Sequence, residues 1–280
     1  MADLPRFFSP SAAGTYRQCA LRWKYRYVDK LPDPPGEAAL VGTFVHRVLE
    51  LLCEGPAAER TADRARDLAA RAWPETTANP EFRDLGLDEA AERQFRWKAW
   101  TAIEALWGLE DPAGVDVRAT EQHVATEVGG VPFRGVIDRL DDTDDGLVVT
   151  DYKSGNPPRH DRRDAALDQV LLYAAAVEAT TGERPVSARL IFLGGAQDIV
   201  QAPVDDERLA SATSGLATTW AALERDCSRD EFAPNAGPLC GWCPYVDRCE
   251  TGATEVRQRA AAGRLRDDAP ARRLLDLVGT

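Results

Sequence analysis

Two periodicities alternate along this chain, and each change between them marks a change of element. Residues 38–54, AALVGTFVHRVLELLCE, are apolar at almost every position that one face of a helix would bury. They predict a core helix with a histidine near its middle. Upstream, residues 9–28 open on a serine that can cap a helix and continue as a helical stretch broken near Cys19, followed by the loop LPDPPGEA. Residues 57–110 are rich in Ala, Arg and Glu, with helical periodicity over 59–72 and 87–109 and a Pro/Asn break between. From Val115 the period drops to two: VRATEQHVATEV, a Gly-Gly turn, VPFRGVIDRL, an Asp/Gly turn and LVVTDYK predict a three-stranded meander. A helix over 164–180, two further strands in VSARLIFL and DIVQAPV, a helix over 205–226 and a charged helical tail over 251–280 complete the pattern. The expected class is α/β.

Composition narrows the partners more than the fold. At 280 residues, 44% hydrophobic and 29% charged, the chain can bury a full core. A net charge of −12 argues against sequence-independent coating of DNA but leaves room for a local basic patch. No apolar run reaches membrane-spanning length and MADLPRFFSPS has no signal pattern, so the expected location is the cytoplasm, with no membrane partner. Six cysteines in that compartment are more naturally metal ligands than disulfides.

The chemistry concentrates at one end of the second hairpin. Asp138 ends one apolar run, and Asp151-Tyr152-Lys153 ends the next. Asp151 and Lys153 share a strand face, while Tyr152 points to the core and leaves its carbonyl available to a cation. Two neighbouring carboxylates repel unless a hard divalent ion lies between them. Lysine is scarce, being confined to Lys24, Lys30, Lys98 and Lys153, so one beside the carboxylates is informative. The alternative is a solvated hairpin with Asp138 paired to Arg134 or Arg139.

Asp138 followed by Asp151-x-Lys153 resembles the core of the PD-(D/E)xK nucleases, in particular their RecB-like exonuclease branch. Gly42-Thr43-x-x-His46 resembles the G-[ST]-x-x-H helix of that branch, SPSAAGTYRQC its N-terminal signature, and Gln169-x-x-x-Tyr173 its Q-x-x-x-Y motif. The resemblance implies an α/β fold with a restriction-endonuclease-like mixed central sheet flanked by helices. It also implies that His46, Asp138, Asp151 and the Tyr152 carbonyl hold Mg²⁺ or Mn²⁺, that Lys153 assists, and that Gln169 and Tyr173 steady the site or the DNA backbone.

Near the C-terminus, Cys240-x2-Cys243-x5-Cys249 places three thiols within ten residues, one short of the usual four ligands. The array resembles the iron-sulfur subset of RecB-like nucleases, which includes the AddB-type and CRISPR-associated exonucleases. That likeness implies a [4Fe-4S] cluster completed by Cys19, with structural zinc as the alternative. Cys53 and Cys227 are read as small buried residues.

The expected organisation is one RecB-like nuclease domain over 1–250, with a helical insertion at 57–110 and a cysteine segment at 236–250 closing on Cys19, then a tail over 251–280. Glu121 is either a further acid of the site or a cross-strand partner of Arg134 or Arg139. Trp97, Trp100 and Trp107 are read as packing, and His123 is unassigned. The cations Arg17, Arg22, Lys24 and Arg26, interleaved with aromatics, suit either a single strand or a wet helix face. No G-x-x-x-x-G-K loop occurs, so any helicase would act in trans. The expected activity is metal-dependent hydrolysis of DNA, single-stranded and from an end, in repair or recombination. The competing class is a non-catalytic iron-sulfur scaffold that binds nucleic acid.

Overall fold

The structure, a computed structural model, describes residues 2–276. Pro35–Gly215 form one compact unit, and the residues up to Pro34 together with those from Leu216 onward form another.

In the unit built from both ends of the chain, Ser9 caps α1 (Pro10–Gln18) by accepting the Ala12 N–H at 3.2 Å, with Pro10 at the first helical position. The helix stops at Cys19, whose backbone is extended, and restarts as α2 (Ala20–Trp23), which widens into a π turn over Lys24–Val28. This is the break expected near Cys19. Trp23 is buried between the rings of Tyr16, Tyr27 and Phe232. Arg22 and Arg26 both pair with Asp33, and Lys24 pairs with Asp29. These cations therefore already have carboxylate partners.

The central unit begins with α3 (Glu37–Glu54), which buries Leu40, Val41, Phe44, Val45, Val48, Leu49 and Leu52 at three- and four-residue spacings. α4 (Ala62–Ala78), the single turn α5 (Pro80–Arg83) and α6 (Glu89–Ala105) follow and pack their apolar stripes with α3. The sheet has five strands in sequence order: β1 (Asp116–Val128), β2 (Val131–Thr143), β3 (Gly146–Lys153), β4 (Ser187–Phe192) and β5 (Asp198–Pro203). Every neighbouring pair is antiparallel except β3–β4, which is parallel because α7 (Arg163–Thr181) carries the chain back between them. Gly129 and Gly130, both at positive φ, make the two-residue β1–β2 turn. The meander and the helix that follows it are as the periodicity predicts, and the mixed sheet is as the resemblance implies.

The helices α3, α4 and α6 share one core with Tyr152, Ile191 and Leu193. On the same side of β2 and β3 lies a buried ionic network. Arg139, fully buried, pairs with Glu110 at 2.6 Å and Asp141 at 2.8 Å and donates to the Tyr152 hydroxyl. Arg189 adds contacts to Asp141 at 2.8 Å, Glu110 at 3.1 Å and the Thr150 hydroxyl at 2.8 Å. Because strand side chains alternate, anchoring Arg139 and Tyr152 on this side commits their neighbours Asp138 and Asp151 to the other.

The chain then enters α8 (Asp206–Arg229), α9 (Glu250–Ala261) and the short α10 (Arg273–Asp276). Val246, Ala253, Val256 and Leu265 form a small apolar cluster against which Cys240 and Cys243 pack. Cys53 and Cys227 are buried free thiols, as expected. Among the described residues, no helix is long and apolar enough to cross a membrane.

Candidate active site

Strand register builds the site. Thr120 pairs with Arg139 and Gln122 with Ile137, which leaves Glu121 opposite Asp138; Arg139 pairs with Thr150, which sets Asp138 opposite Asp151. Three carboxylates thus lie in a row across β1, β2 and β3, at the interstrand spacing of roughly 5 Å. His46 enters from α3, with Nδ1 3.3 Å from Asp138 Oδ2. That same oxygen accepts the Tyr152 backbone N–H at 2.7 Å, so Asp138 is held by the backbone of the strand that carries Asp151.

An adjoining network fixes the other half. Lys153 Nζ lies 2.7 Å from Asp151 Oδ2 and donates to Gln169 Oε1 at 3.1 Å. The Gln169 amide nitrogen donates to Asp151 Oδ1 at 3.0 Å and to the Tyr173 hydroxyl at 3.1 Å. One glutamine therefore sets the orientation of both the acid and the ammonium. The edge of the Tyr173 ring abuts Gly135, where an added Cβ would sit 2.3 Å from the nearest ring carbon. Gly135 is the residue that lets α7 come this close to β2.

His46, Glu121 and Asp138 offer ligand atoms that all lie within 4.8 Å of one another. Glu121 is the member that sequence reasoning left undecided. Its cross-strand alternative does not hold for Arg139, which is committed to Glu110 and Asp141 on the other side of the sheet. Glu121 also has φ of +45°, a left-handed conformation that costs a non-glycine residue about 1–2 kcal/mol. Asp151 stands outside this tight triple and pairs with Lys153.

The electrostatics show too much negative charge for the cations present. Burial, then the charges of Asp138 and Glu50, push Glu121 up to about 7. Burial and then Asp138 push Asp151 up to about 6. For His46, burial opposes the imidazolium, but the hydrogen bond and charge of Asp138 outweigh it and raise the group above its ordinary value. A divalent cation would supply the missing positive charge. Carboxylate oxygens with one imidazole nitrogen suit Mg²⁺ or Mn²⁺, so the residues fit the ion.

The predicted cysteines gather in the other unit. Cys19, Cys240, Cys243 and Cys249 line one cavity of about 260 Å³ together with Arg22 and Tyr25. All four are free thiols, and among the described residues no three of them approach within 4.8 Å of one another. A single tetrahedral zinc would draw sulfurs to about 3.8 Å separation, so the zinc alternative finds no support in this spacing. Backbone N–H groups of Asn235 and Gly252 donate to the sulfurs of Cys19 and Cys249, at 3.4 Å and 3.2 Å. A Cβ on Gly252 would lie 3.4 Å from Cys249 Sγ and 3.7 Å from Cys240 Sγ.

One expectation about the tryptophans is corrected. Trp100 and Trp107 pack against the core of α3, α4 and α6, but Trp97 is 63% exposed. It lies 200° around α6 from the buried Phe95, on the outward side.

A profile of the PD-(D/E)XK nuclease superfamily matches residues 7–250. The chain belongs to that superfamily. It is also similar to the Gene 69 protein of Mycobacterium phage D29, with 26% identity over 268 residues that cover 86% of this chain and 95% of the phage protein. Its fold resembles the crystal structure of a protein described as "Putative exonuclease" from Eubacterium rectale, with a TM-score of 0.55 and 15% identity over 88% of each chain.

Proposed function

We propose that this superfamily member is a RecB-like, divalent-metal-dependent deoxyribonuclease that hydrolyses single-stranded DNA from an end, in repair or recombination. The observation that carries the reading is the carboxylate row Glu121–Asp138–Asp151, flanked by His46 on one side and Lys153 on the other. A non-catalytic scaffold has no use for an ammonium and a carboxylate oriented together by one glutamine.

His46, Asp138 and Asp151, with the Tyr152 carbonyl and now Glu121, would hold Mg²⁺ or Mn²⁺. When bound, the ion supplies positive charge that polarises the scissile phosphate and acidifies a nearby water. Lys153 donates toward the phosphate, where negative charge builds in the transition state. Gln169 keeps Lys153 and Asp151 in register, and Tyr173 keeps Gln169 in place. His46 remains an acceptor for the ion only while neutral, so Asp138, which favours the imidazolium, ties ion binding to loss of a proton.

The four cysteines are proposed to hold a [4Fe-4S] cluster. Their shared cavity and the two N–H···S contacts support a metal group held by these four sulfurs, and the likeness of the cysteine array to the iron-sulfur subset favours the cluster. The family match runs across both units, which supports reading 1–250 as one nuclease domain with 251–280 as a tail. A cytoplasmic site of action and a helicase partner in trans complete the proposal.

The test is release of label from single-stranded DNA in Mn²⁺, with EDTA and with blocked ends as controls. Cleavage that needs the metal and a free end, and is lost in Asp151→Asn and in Lys153→Ala, is the expected result. Full activity in both variants removes the assignment.

A further inference from the structure

The helical segment between α3 and β1 carries a second feature. α4 presents Arg66, Ala70 and Trp73 along one stripe, and α6 presents Arg93, Trp97 and Trp100 with the same four- and three-residue spacings. The two stripes face each other across a groove of about 470 Å³. Each helix reaches over to the other: the Arg66 guanidinium lies 4.6 Å from the centre of the Trp100 ring, and that of Arg96 lies 5.1 Å from Trp73. The small residues Ala69 and Ala70 keep the floor open.

Packing accounts for Trp73 and Trp100 but not for Trp97, whose large ring is mostly in solvent at the groove's edge. Nor does packing account for the charge. Three arginines line the groove with no carboxylate among its lining residues, in a protein of net charge −12. Arg66 and Arg93 do pair with Asp63 and Glu89, but these are exposed contacts within single helices, easily exchanged for a phosphate.

We infer that this groove is a binding site for single-stranded nucleic acid, with Trp97 as a stacking platform for a base and Arg66, Arg93 and Arg96 as phosphate contacts. Interleaved rings and guanidinium groups are what a strand requires, because every base has a π face and every linkage carries a negative charge. An acidic peptide would use the arginines and leave the exposed ring without a role. The groove lies apart from the carboxylate row: Phe44 lines it, whereas His46, two residues further along α3 and therefore about 200° around that helix, faces the metal ligands. The site is thus an anchor for the substrate strand outside the reacting centre, and it rests on the nuclease reading for the identity of that strand.

The experiment uses the full chain in EDTA and measures the fluorescence anisotropy of a labelled oligothymidylate across a salt series. Trp97→Ala is expected to weaken binding about 10-fold, the scale of one lost base stack. Arg93→Glu is expected to weaken it and to lower the slope of log K against log salt by about 0.7 or more, one or more phosphate contacts. Arg257→Glu, an exposed charge reversal on α9, serves as the matched control and is expected to change binding far less. Unchanged affinity in Trp97→Ala and Arg93→Glu overturns the inference, as does a change in sedimentation that shows the groove to join two copies of the chain. Mn²⁺-dependent cleavage by wild type, read in parallel, separates the two claims. Absent cleavage with Trp97-dependent binding counts against the nuclease reading alone, and intact cleavage with unaltered binding in the variants counts against the groove alone.

Discussion

Asp151 gives the metal-free protein a pH dependence of predictable sign and size. Burial beside Asp138 raises its folded-state value from 3.8 to about 6, while in the unfolded chain it returns to the ordinary carboxyl range. Between pH of about 4 and about 6 the native state therefore holds a proton that the unfolded chain has released, so stability falls as pH rises through that window and stays lower above it. A shift of about two units at 1.36 kcal/mol each corresponds to about 3 kcal/mol, or roughly 5–10 °C in Tm. The assay is thermal unfolding in EDTA at pH 4 and pH 7.5, for wild type and for Asp151→Asn, which removes the titrating group. Wild type should lose several degrees more than the variant over this interval. Saturating Mn²⁺ should restore most of that difference at pH 7.5, because the ion binds only the folded, deprotonated site. Equal pH dependence in the two proteins, or no stabilisation of wild type by Mn²⁺, would refute the reasoning.

Other expectations follow from single contacts. Gly135→Ala drives a methyl into the Tyr173 ring and should cost about 1–3 kcal/mol in urea unfolding, together with a loss of cleavage, since Tyr173 supports Gln169. Gln169→Leu should leave the fold intact but lower kcat by roughly 10- to 100-fold, the value of hydrogen bonds to two charged groups, with little change in KM. Arg139→Met leaves Glu110 and Asp141 buried without their central partner and should destabilise by about 3–5 kcal/mol, measured by denaturant titration. Cys243→Ser should abolish visible absorbance in anaerobically purified protein; a colourless wild type containing zinc overturns the iron assignment.

The sheet and its flanking helices were legible because their signals are local: period-two runs, a Gly-Gly turn, a serine-capped helix at 10–18 and an apolar helix at 37–54. The pairing of Asp138 with Asp151 follows from the same hairpin register. Glu121 was legible only as one of two alternatives. It sits among alternating polar residues of β1, and its positive φ has no glycine or asparagine to announce it. Arg139 read as a hairpin surface charge because its partner Glu110 is 29 residues away, outside any strand, and only the fold brings them together. Trp97 was within reach of a helical wheel, which turns it away from Phe95 and Ile103; grouping it with Trp100 and Trp107 as core concealed that.

The central claim is that distant polar side chains converge on one cation pocket. Mn²⁺ binding followed by electron paramagnetic resonance on wild type, Asp138→Asn and Glu121→Gln tests it most directly, with circular dichroism confirming that each variant is folded. The account predicts one tightly held Mn²⁺ in wild type, its loss in Asp138→Asn, and binding weakened by at least 10-fold in Glu121→Gln. Wild-type affinity in Asp138→Asn would contradict it.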